Sequence, residues 1–390
     1  MRVLLTKVRH VARTGVVLLS LLPFAVEAET TLAPDVHVSS DYDSNKRLQS
    51  DNRDAVKGVV ADAAVTLKNN SPQWSQELYT QVKSRYYDGA YDLDSDDQNV
   101  NGTLSYATPR TTTTLKLGGI NDTTLTDQLD FTGYTEALKR RRYLTTDLSI
   151  QSKLSALDTG SLEYSASKSD YIDAKETSLV DYRFETLSGS LQHSFSENVA
   201  VYTSVTGSQY EAKATANTSD SLDVSAGALW KPSKPWLLKL GVGQRATEYE
   251  YFDGMLSLDD RFNYVTLEAS RQLQTGLLSL KTQDLSQPTG DGNLYHVRKV
   301  LLDYSTEFDL RHRFLVSAAY SEQRASSDRY AWNDRNNMQW SATYRYRTTQ
   351  AAGIQTVWSF RQQELIKIHT QAYSNAVWLG VYWAPDAYRW

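Results

Sequence analysis

Between Trp74 and Tyr86 the chain alternates with a period of two. Trp74, Leu78, Val82 and Tyr86 share one parity, and Glu77, Tyr79, Gln81, Lys83 and Arg85 share the other. Successive side chains of a strand point to opposite faces, so this segment predicts a strand with one apolar face, an aromatic at each end, and one polar, charged face. Twelve steps at about 3.3 Å extend roughly 40 Å. Tilted by about 40°, that length covers about 30 Å along a barrel axis, the height of a membrane's apolar band with its two aromatic girdles. Strands of soluble sheets mostly run to about five or six residues.

The same alternation recurs to the end of the chain. It predicts about eighteen strands, near 35–43, 55–68, 73–87, 99–109, 112–120, 142–155, 161–169, 183–196, 199–210, 221–231, 235–248, 262–273, 276–284, 297–308, 311–321, 336–347, 352–363 and 373–384. Outward sets include Val59/Ala61/Ala63/Val65/Leu67, Trp236/Leu238/Leu240/Val242 and Ile354/Thr356/Trp358/Phe360. Connections alternate in length. Short links such as 69–72, 158–160, 196–198, 231–235 and 274–275 are interleaved with long ones near 44–54, 88–98, 121–141, 170–182, 211–220, 249–261, 285–296, 322–335 and 364–372. The expected fold is all-β: a transmembrane antiparallel β-barrel with short periplasmic turns and long extracellular loops. Trp74, Trp230 and Trp236 stand beside short links, where an inner aromatic girdle belongs. The chain closes on an aromatic strand ending in Tyr382-Trp383, followed by Pro385 and a five-residue extension to Trp390; such an ending resembles the signal read by the outer-membrane assembly machinery.

Composition changes the picture mainly at the amino terminus. Arg2, Lys7, Arg9 and Arg13 precede an apolar run at 16–26, and Val26-Glu27-Ala28 offers small residues for cleavage, so residues 1–28 read as a secretory signal peptide and 29–390 as the barrel. The apolar run, about eleven residues, is short of the roughly twenty that a helical span needs. Mean hydropathy is −0.51, which does not distinguish a soluble protein from a barrel whose membrane signal lies in alternation. There is no cysteine, hence no disulfide framework or thiolate metal site. Without residues 1–28 the chain carries 37 basic against 45 acidic residues, a net −8 that argues against nucleic acid as a partner.

Candidate chemistry concentrates on the inward parity. Asp62, Glu77, Tyr79, Gln81, Lys83, Arg85, Asp147, Lys153, Tyr202, Lys239, Glu268, Lys281, Asp303, Arg313, Arg345 and Arg361 are the expected pore-lining set. Both signs of charge occur among them, which fits an aqueous path. Lys139, Arg140, Arg141 and Arg142 end the third long link and are candidates for contact with lipopolysaccharide phosphates or an anionic polymer. That link, 121–141, is the longest and the expected constriction. Asp92, Asp94, Asp96 and Asp97 alternate like calcium ligands, but the loop lacks the glycine and terminal glutamate of a helix–loop–helix site, and a solvated acidic loop is the better reading. His193-Ser194 are neighbours on a strand and face opposite sides, so they form no nucleophile–base pair. No Gly-x-Ser-x-Gly, His-Glu-x-x-His or Walker motif occurs, and no metal or cofactor site is expected. The chain reads as a non-enzyme.

The segment Val36 to Leu48, with Tyr42-Asp43-Ser44-Asn45 at its centre, resembles a family of β-barrel porins encoded beside exopolysaccharide and capsule synthesis genes, whose members open with an extended strand closing on such a turn. The resemblance implies export of a polysaccharide across the outer membrane, with a periplasmic export partner, and brings no catalytic residues with it. The alternatives from the residues themselves are a general diffusion porin for small solutes and a plugged barrel serving structure or adhesion.

Overall fold

A computed structural model describes residues 29–389 except 52, 125–138, 176, 252, 253, 255 and 326–332; residues 1–28, read above as the signal peptide, and Trp390 lie outside them. The strands are β1 (Glu29–Asp43), β2 (Val56–Asn70), β3 (Trp74–Tyr87), β4 (Ser95–Ala107), β5 (Thr111–Thr123) and β6 (Arg140–Lys153). They continue as β7 (Asp158–Ile172), β8 (Tyr182–Ser194), β9 (Val199–Ala212), β10 (Asn217–Trp230), β11 (Trp236–Tyr251) and β12 (Leu256–Gln272). The last are β13 (Gly276–Pro288), β14 (Leu294–Glu307), β15 (His312–Ala325), β16 (Arg335–Arg347), β17 (Ala352–Leu365), β18 (Thr370–Trp383) and the two-residue β19 (Tyr388–Arg389). β1 to β18 pair antiparallel in sequence order, β19 pairs with β1, and β1 pairs with β18, from Val36 opposite Trp383 to Asp43 opposite Ala376. The result is a closed barrel of eighteen antiparallel strands. Each of the eighteen has a neighbour on both sides, the condition a sheet must meet to span a membrane, although β12 and β13 pair over five residues only.

The extension after Pro385 stays on the seam. Val36 faces Trp383, and Leu32 faces Tyr388, so four steps on β1 oppose five on the other side. The ladder is interrupted over 384–387, where Pro385, which cannot donate to it, sits outside the paired residues.

The predicted parity holds along the wall. Leu144, Leu240, Val242, Val265 and Leu379 are each more than half exposed on the outer face. An exposed apolar belt of this kind needs lipid around it. Trp74, Trp230 and Trp383 lie at its lower rim beside short turns, with Trp74 packed on Tyr106 at 4.5 Å between ring centroids. The turns are held by their own polar side chains. In the β14–β15 turn, Asp309 accepts the backbone N–H groups of Arg311 (2.7 Å) and His312 (2.8 Å), and the Arg311 bond holds its carboxyl below the ordinary value.

The strands run further outward than expected. Segments 211–220, 249–261, 285–296 and 364–372, predicted as loops, are largely strand, and the links they leave are only about four or five residues long. Their polar residues rise above the belt as paired ladder, for example Thr218 opposite Glu250 and Asp220 opposite Glu248.

Closure is fixed by the Tyr42–Asn45 turn. Asp43 is fully buried and takes Arg361 Nη2 from β17 at 2.7 Å and the Ser374 hydroxyl from β18. Asn45 donates Nδ2 to the carbonyls of Gln49 (2.7 Å) and Tyr373 (3.1 Å), and Ser44 exchanges bonds with Asn375. The motif is a clasp between the first strand and the last two.

The wall and its closing seam give three tests. Cysteines placed singly from Glu77 to Arg85 should react with a water-soluble thiol reagent at alternate positions, the odd-numbered ones; uniform labelling would refute the register. Arginine at Val82 should cost about 2–4 kcal/mol and at Gln81 much less. Asp43→Ala, which leaves the partly exposed Arg361 guanidinium and the Ser374 hydroxyl without their shared acceptor, should lower unfolding stability in detergent by about 1–3 kcal/mol, read as urea-induced loss of the heat-modifiable folded band.

Candidate functional site

The inward residues of β1–β3 and β14–β18 enclose a lumen cavity of about 780 Å³. Asp62, Lys83, Arg85, Asp303 and Arg361 of the predicted set line it, together with His37, Asp41 and Lys46. The strand register sets Asp62 opposite Lys83 and Lys83 opposite Asp97. Gln81 Nε2 donates to both oxygens of Asp62, at 2.9 and 2.8 Å. Arg85 forms an ion pair with Asp97. Lys46 reaches Asp41 at 2.9 Å, and the Tyr87 hydroxyl donates to the same carboxylate at 2.8 Å. Ser317 donates to Asp303 at 2.7 Å. Acid and base therefore alternate around the cavity, and most charges are paired within the wall.

The other predicted residues keep the inward parity but are spread over the barrel. Glu77 pairs with Lys68 at 2.8 Å, and Arg313 lies 3.8 Å from Glu307 at the lower end. Lys239 faces Glu268, and Glu268 faces Lys281. Asp147 sits opposite Lys116 and Ser165, Lys153 opposite Thr159, and Tyr79 opposite Thr66 and Asn101. Arg345 donates to Gln355 Oε1 and stacks 4.8 Å from the Tyr382 ring centroid. Tyr202 lies over Gly227 and Gly241, where any Cβ would meet its ring, and Lys239 Nζ stands 4.6 Å from its centroid. Its ring fills glycine gaps in the wall.

The basic cluster is divided. Arg141 is buried and bonds Asp122 twice, at 3.0 and 2.8 Å. Arg140 donates to the Asp96 carbonyl and the Asn121 side chain, both at 2.9 Å. Lys139 pairs its backbone with Thr124, and of the four Arg142 is the exposed one. Arg140 and Arg141 thus brace the β5–β6 hairpin rather than presenting charge to lipid or polymer. Residues 125–138 of the expected constriction, including Gly133, lie outside the described residues. The acidic run is likewise divided. Asp92 pairs with Arg47, Asp94 accepts the Tyr87 N–H at 2.8 Å, and Asp96 accepts Ser84 at 2.7 Å. Among the described residues no group of His, Asp or Glu is placed to hold a metal. His193 Nδ1 lies 2.7 Å from Asp158, but the nearby Ser155 hydroxyl bonds Asp158 itself, so Ser155 is not set up as a nucleophile beside His193.

The mouth of the barrel holds an element that alternation did not signal. The tip of the β13–β14 hairpin leans across to the β7–β8 and β9–β10 links. Val180 N–H donates to the Gly290 carbonyl at 2.7 Å, and Asn217 Nδ2 to the Gly292 carbonyl at 3.0 Å. Gly292 has φ +78°, and a Cβ there would meet Thr215 Oγ1 at 3.1 Å. Leu294 packs into a buried cluster with Val180, Tyr182, Tyr210, Tyr249 and Tyr251. The Asp291 carboxylate takes the Tyr295 hydroxyl (2.7 Å) and Asn333 Nδ2 (3.0 Å). Around the wall, β8 and β13 are five strand spacings apart, about 24 Å. The tip crosses this distance over the lumen. The inward tyrosines of 171–182, 210 and 249–251 were the available signal: they lie above the belt, where a lumen-facing aromatic has no lipid to meet.

No protein-family model matches the chain, and a search of curated proteins found no match. Among solved structures it is similar to Acinetobacter baumannii OccAB4, at 12% identity over 94% of this chain and 99% of that one, TM-score 0.47. It is similar to Pseudomonas aeruginosa OccK2 (OpdF), at 13% over 93% and 99%, TM-score 0.47. It is also similar to the FrpB iron transporter of Neisseria meningitidis, at 9% over 90% and 81%, TM-score 0.48. These are barrel proteins, and likeness at this level says nothing of substrate. The closed wall and its lipid-facing belt make the chain a multi-pass β-barrel of the outer membrane.

Removing the hairpin tip, by joining Pro288 to Leu294, should raise single-channel conductance several-fold in planar bilayers. Unchanged conductance would place the limiting constriction elsewhere.

Proposed function

We propose that this outer-membrane conduit is a passive channel for small polar solutes. The observation that carries the reading is the lumen cavity of about 780 Å³, lined by alternating acids and bases beneath a mouth crossed by the β13–β14 tip. That volume is of the order of small-molecule sites, about 300–1,000 Å³. An eighteen-stranded wall is wide enough for an aqueous path, and the inward hairpin narrows it. Conduction needs contacts that admit a solute without trapping it. Side chains already bonded to one another, such as Gln81–Asp62 and Arg85–Asp97, offer a solute weak, replaceable contacts of both signs. Lys83 has no ion-pair partner within 4.0 Å among the described residues and is the cation best placed to set charge preference.

Export of an exopolysaccharide is the finer reading that the resemblance at Tyr42–Asn45 implied. In this barrel Asp43 and Asn45 are buried in the closing seam and face no polymer, so that reading rests on resemblance alone. Contact with lipopolysaccharide, a periplasmic export partner and delivery by the outer-membrane assembly machinery are proposals on the same footing.

The test is swelling of proteoliposomes in solutes of graded size, alongside surface polysaccharide in a deletion strain. Amino acids and monosaccharides should permeate, an oligosaccharide of several rings should not, and surface polymer should be unchanged in the deletion. Loss of surface polymer would overturn the small-solute reading in favour of export. Lys83→Glu should shift the reversal potential in a salt gradient toward cation selectivity, most strongly at low salt.

A further inference from the structure

The wall is incomplete at one seam. β11 pairs with β12 along its whole length, from Trp236 opposite Arg271 to Tyr251 opposite Leu256, and β13 with β14 from Gly276 to Pro288. Between them, β12 and β13 pair only from Glu268–Lys281 down to Gln272–Leu277. Above Glu268 the two strands part.

The parting is built by specific side chains. The first backbone donor above the paired stretch, Leu267 N–H, goes to Thr282 Oγ1 at 2.7 Å, so a hydroxyl takes a bond that the ladder would otherwise make. The Asp284 carbonyl is taken by Arg245 Nη2 at 3.1 Å, and Ser286 Oγ by Arg245 Nη1 at 3.1 Å. The same guanidinium is anchored by Nε to Asp223 at 3.0 Å, and Tyr264 donates to that carboxylate at 2.6 Å. Arg245 therefore holds β13 on the lumen side of β11 and β12, continuous with the inward lean of its hairpin.

A cavity of about 740 Å³ lies in the gap. It is lined by three consecutive residues on each of four strands: 242–244, 263–265, 282–284 and 298–300. Consecutive residues point to opposite faces. With no β12–β13 ladder above Glu268, this space lies where the two strands part. Its outer rim is the top of the lipid belt, with Val265, Val242 and Val300 exposed at 63%, 56% and 43%. Arg298 lies beside that rim, and Lys299 lines both this space and a neighbouring lumen cavity. An unpaired strand edge is not tolerated against hydrocarbon.

We infer that the β12–β13 gap is a lateral binding site for an acyl-chain amphiphile with an anionic head group, entering from the outer leaflet. The chain lies against Val242, Val265 and Val300. The head reaches the strand edge on the Arg298–Lys299 side; Arg298 Nε also holds the Asp284 carboxylate at 3.3 Å, so its guanidinium is shared between Asp284 and the ligand's negative charge. The inference does not rest on the channel reading, since the site opens to lipid and the solute path to the mouth.

The probe is 11-(dansylamino)undecanoate, titrated into purified protein in phosphatidylcholine nanodiscs. Saturable binding with blue-shifted emission is expected, displaced by oleate and not by oleyl alcohol. Val265→Trp, which fills the gap, and Lys299→Gln should each weaken it at least ten-fold. Val205→Trp, an equally lipid-facing change on β9, should not. Continuing the register of Glu268 with Lys281 sets Thr266 against Gln283, so a T266C/Q283C disulfide should zip the seam and abolish binding until reductant is added. Bilayer conductance, measured on the same preparations, reports whether each variant is folded and reads the channel separately. Equal binding by V265W and V205W, displacement by the alcohol as well as the acid, or no saturable binding to a conducting wild type would each overturn the proposal.

Discussion

In hydrocarbon every backbone N–H and C=O must find a partner inside the protein, and a sheet meets that demand only by closing on itself. For this chain closure falls to one seam, β1 with β18, and the seam depends on a buried carboxylate. Asp43 joins three strands by accepting from Arg361 of β17 and Ser374 of β18 while ending β1. A charge buried this deeply is tolerated because a guanidinium, a hydroxyl and the Asn45 backbone N–H all bond it. Lys46 and Tyr87 fasten the neighbouring Asp41 in the same way. The lumen charges of β1–β3 and β17 inherit their positions from this knot.

Much of the wall was legible in the chain because a barrel in lipid enforces a two-residue period on every strand. The outward sets around Val59, Trp236 and Ile354 and the inward placement of Asp62, Lys83, Arg345 and Arg361 all follow from that single rule. What alternation does not encode is where strands stop. Above the belt both faces are polar, so 211–220 and 249–261 look like loops although they continue the ladder. Nor does it encode which turn folds inward. The β13–β14 tip is held by carbonyls of Gly290 and Gly292 and by a tyrosine cluster drawn from four distant strands, contacts that exist only once the barrel is closed. The Tyr42–Asn45 motif was visible, but its work is closure.

The interior and the broken seam share one cause. Pulling β13 toward the lumen lets its tip cross the mouth, and it also strips the upper part of β12 of a partner. Arg245 stands at the junction, tied to Asp223 on one side and to Asp284 and Ser286 on the other. One guanidinium thereby couples the narrowing of the solute path to the opening in the wall, so a change that releases β13 is expected to widen the first while closing the second.

In the proposed function that inward hairpin narrows the lumen to small solutes. Polymer exclusion in planar bilayers tests it most directly: single-channel conductance is recorded in polyethylene glycols of rising mass. The smallest glycols should enter and depress conductance, while larger ones are shut out and leave it at its polymer-free value. Entry of glycols as wide as a polysaccharide chain would contradict it.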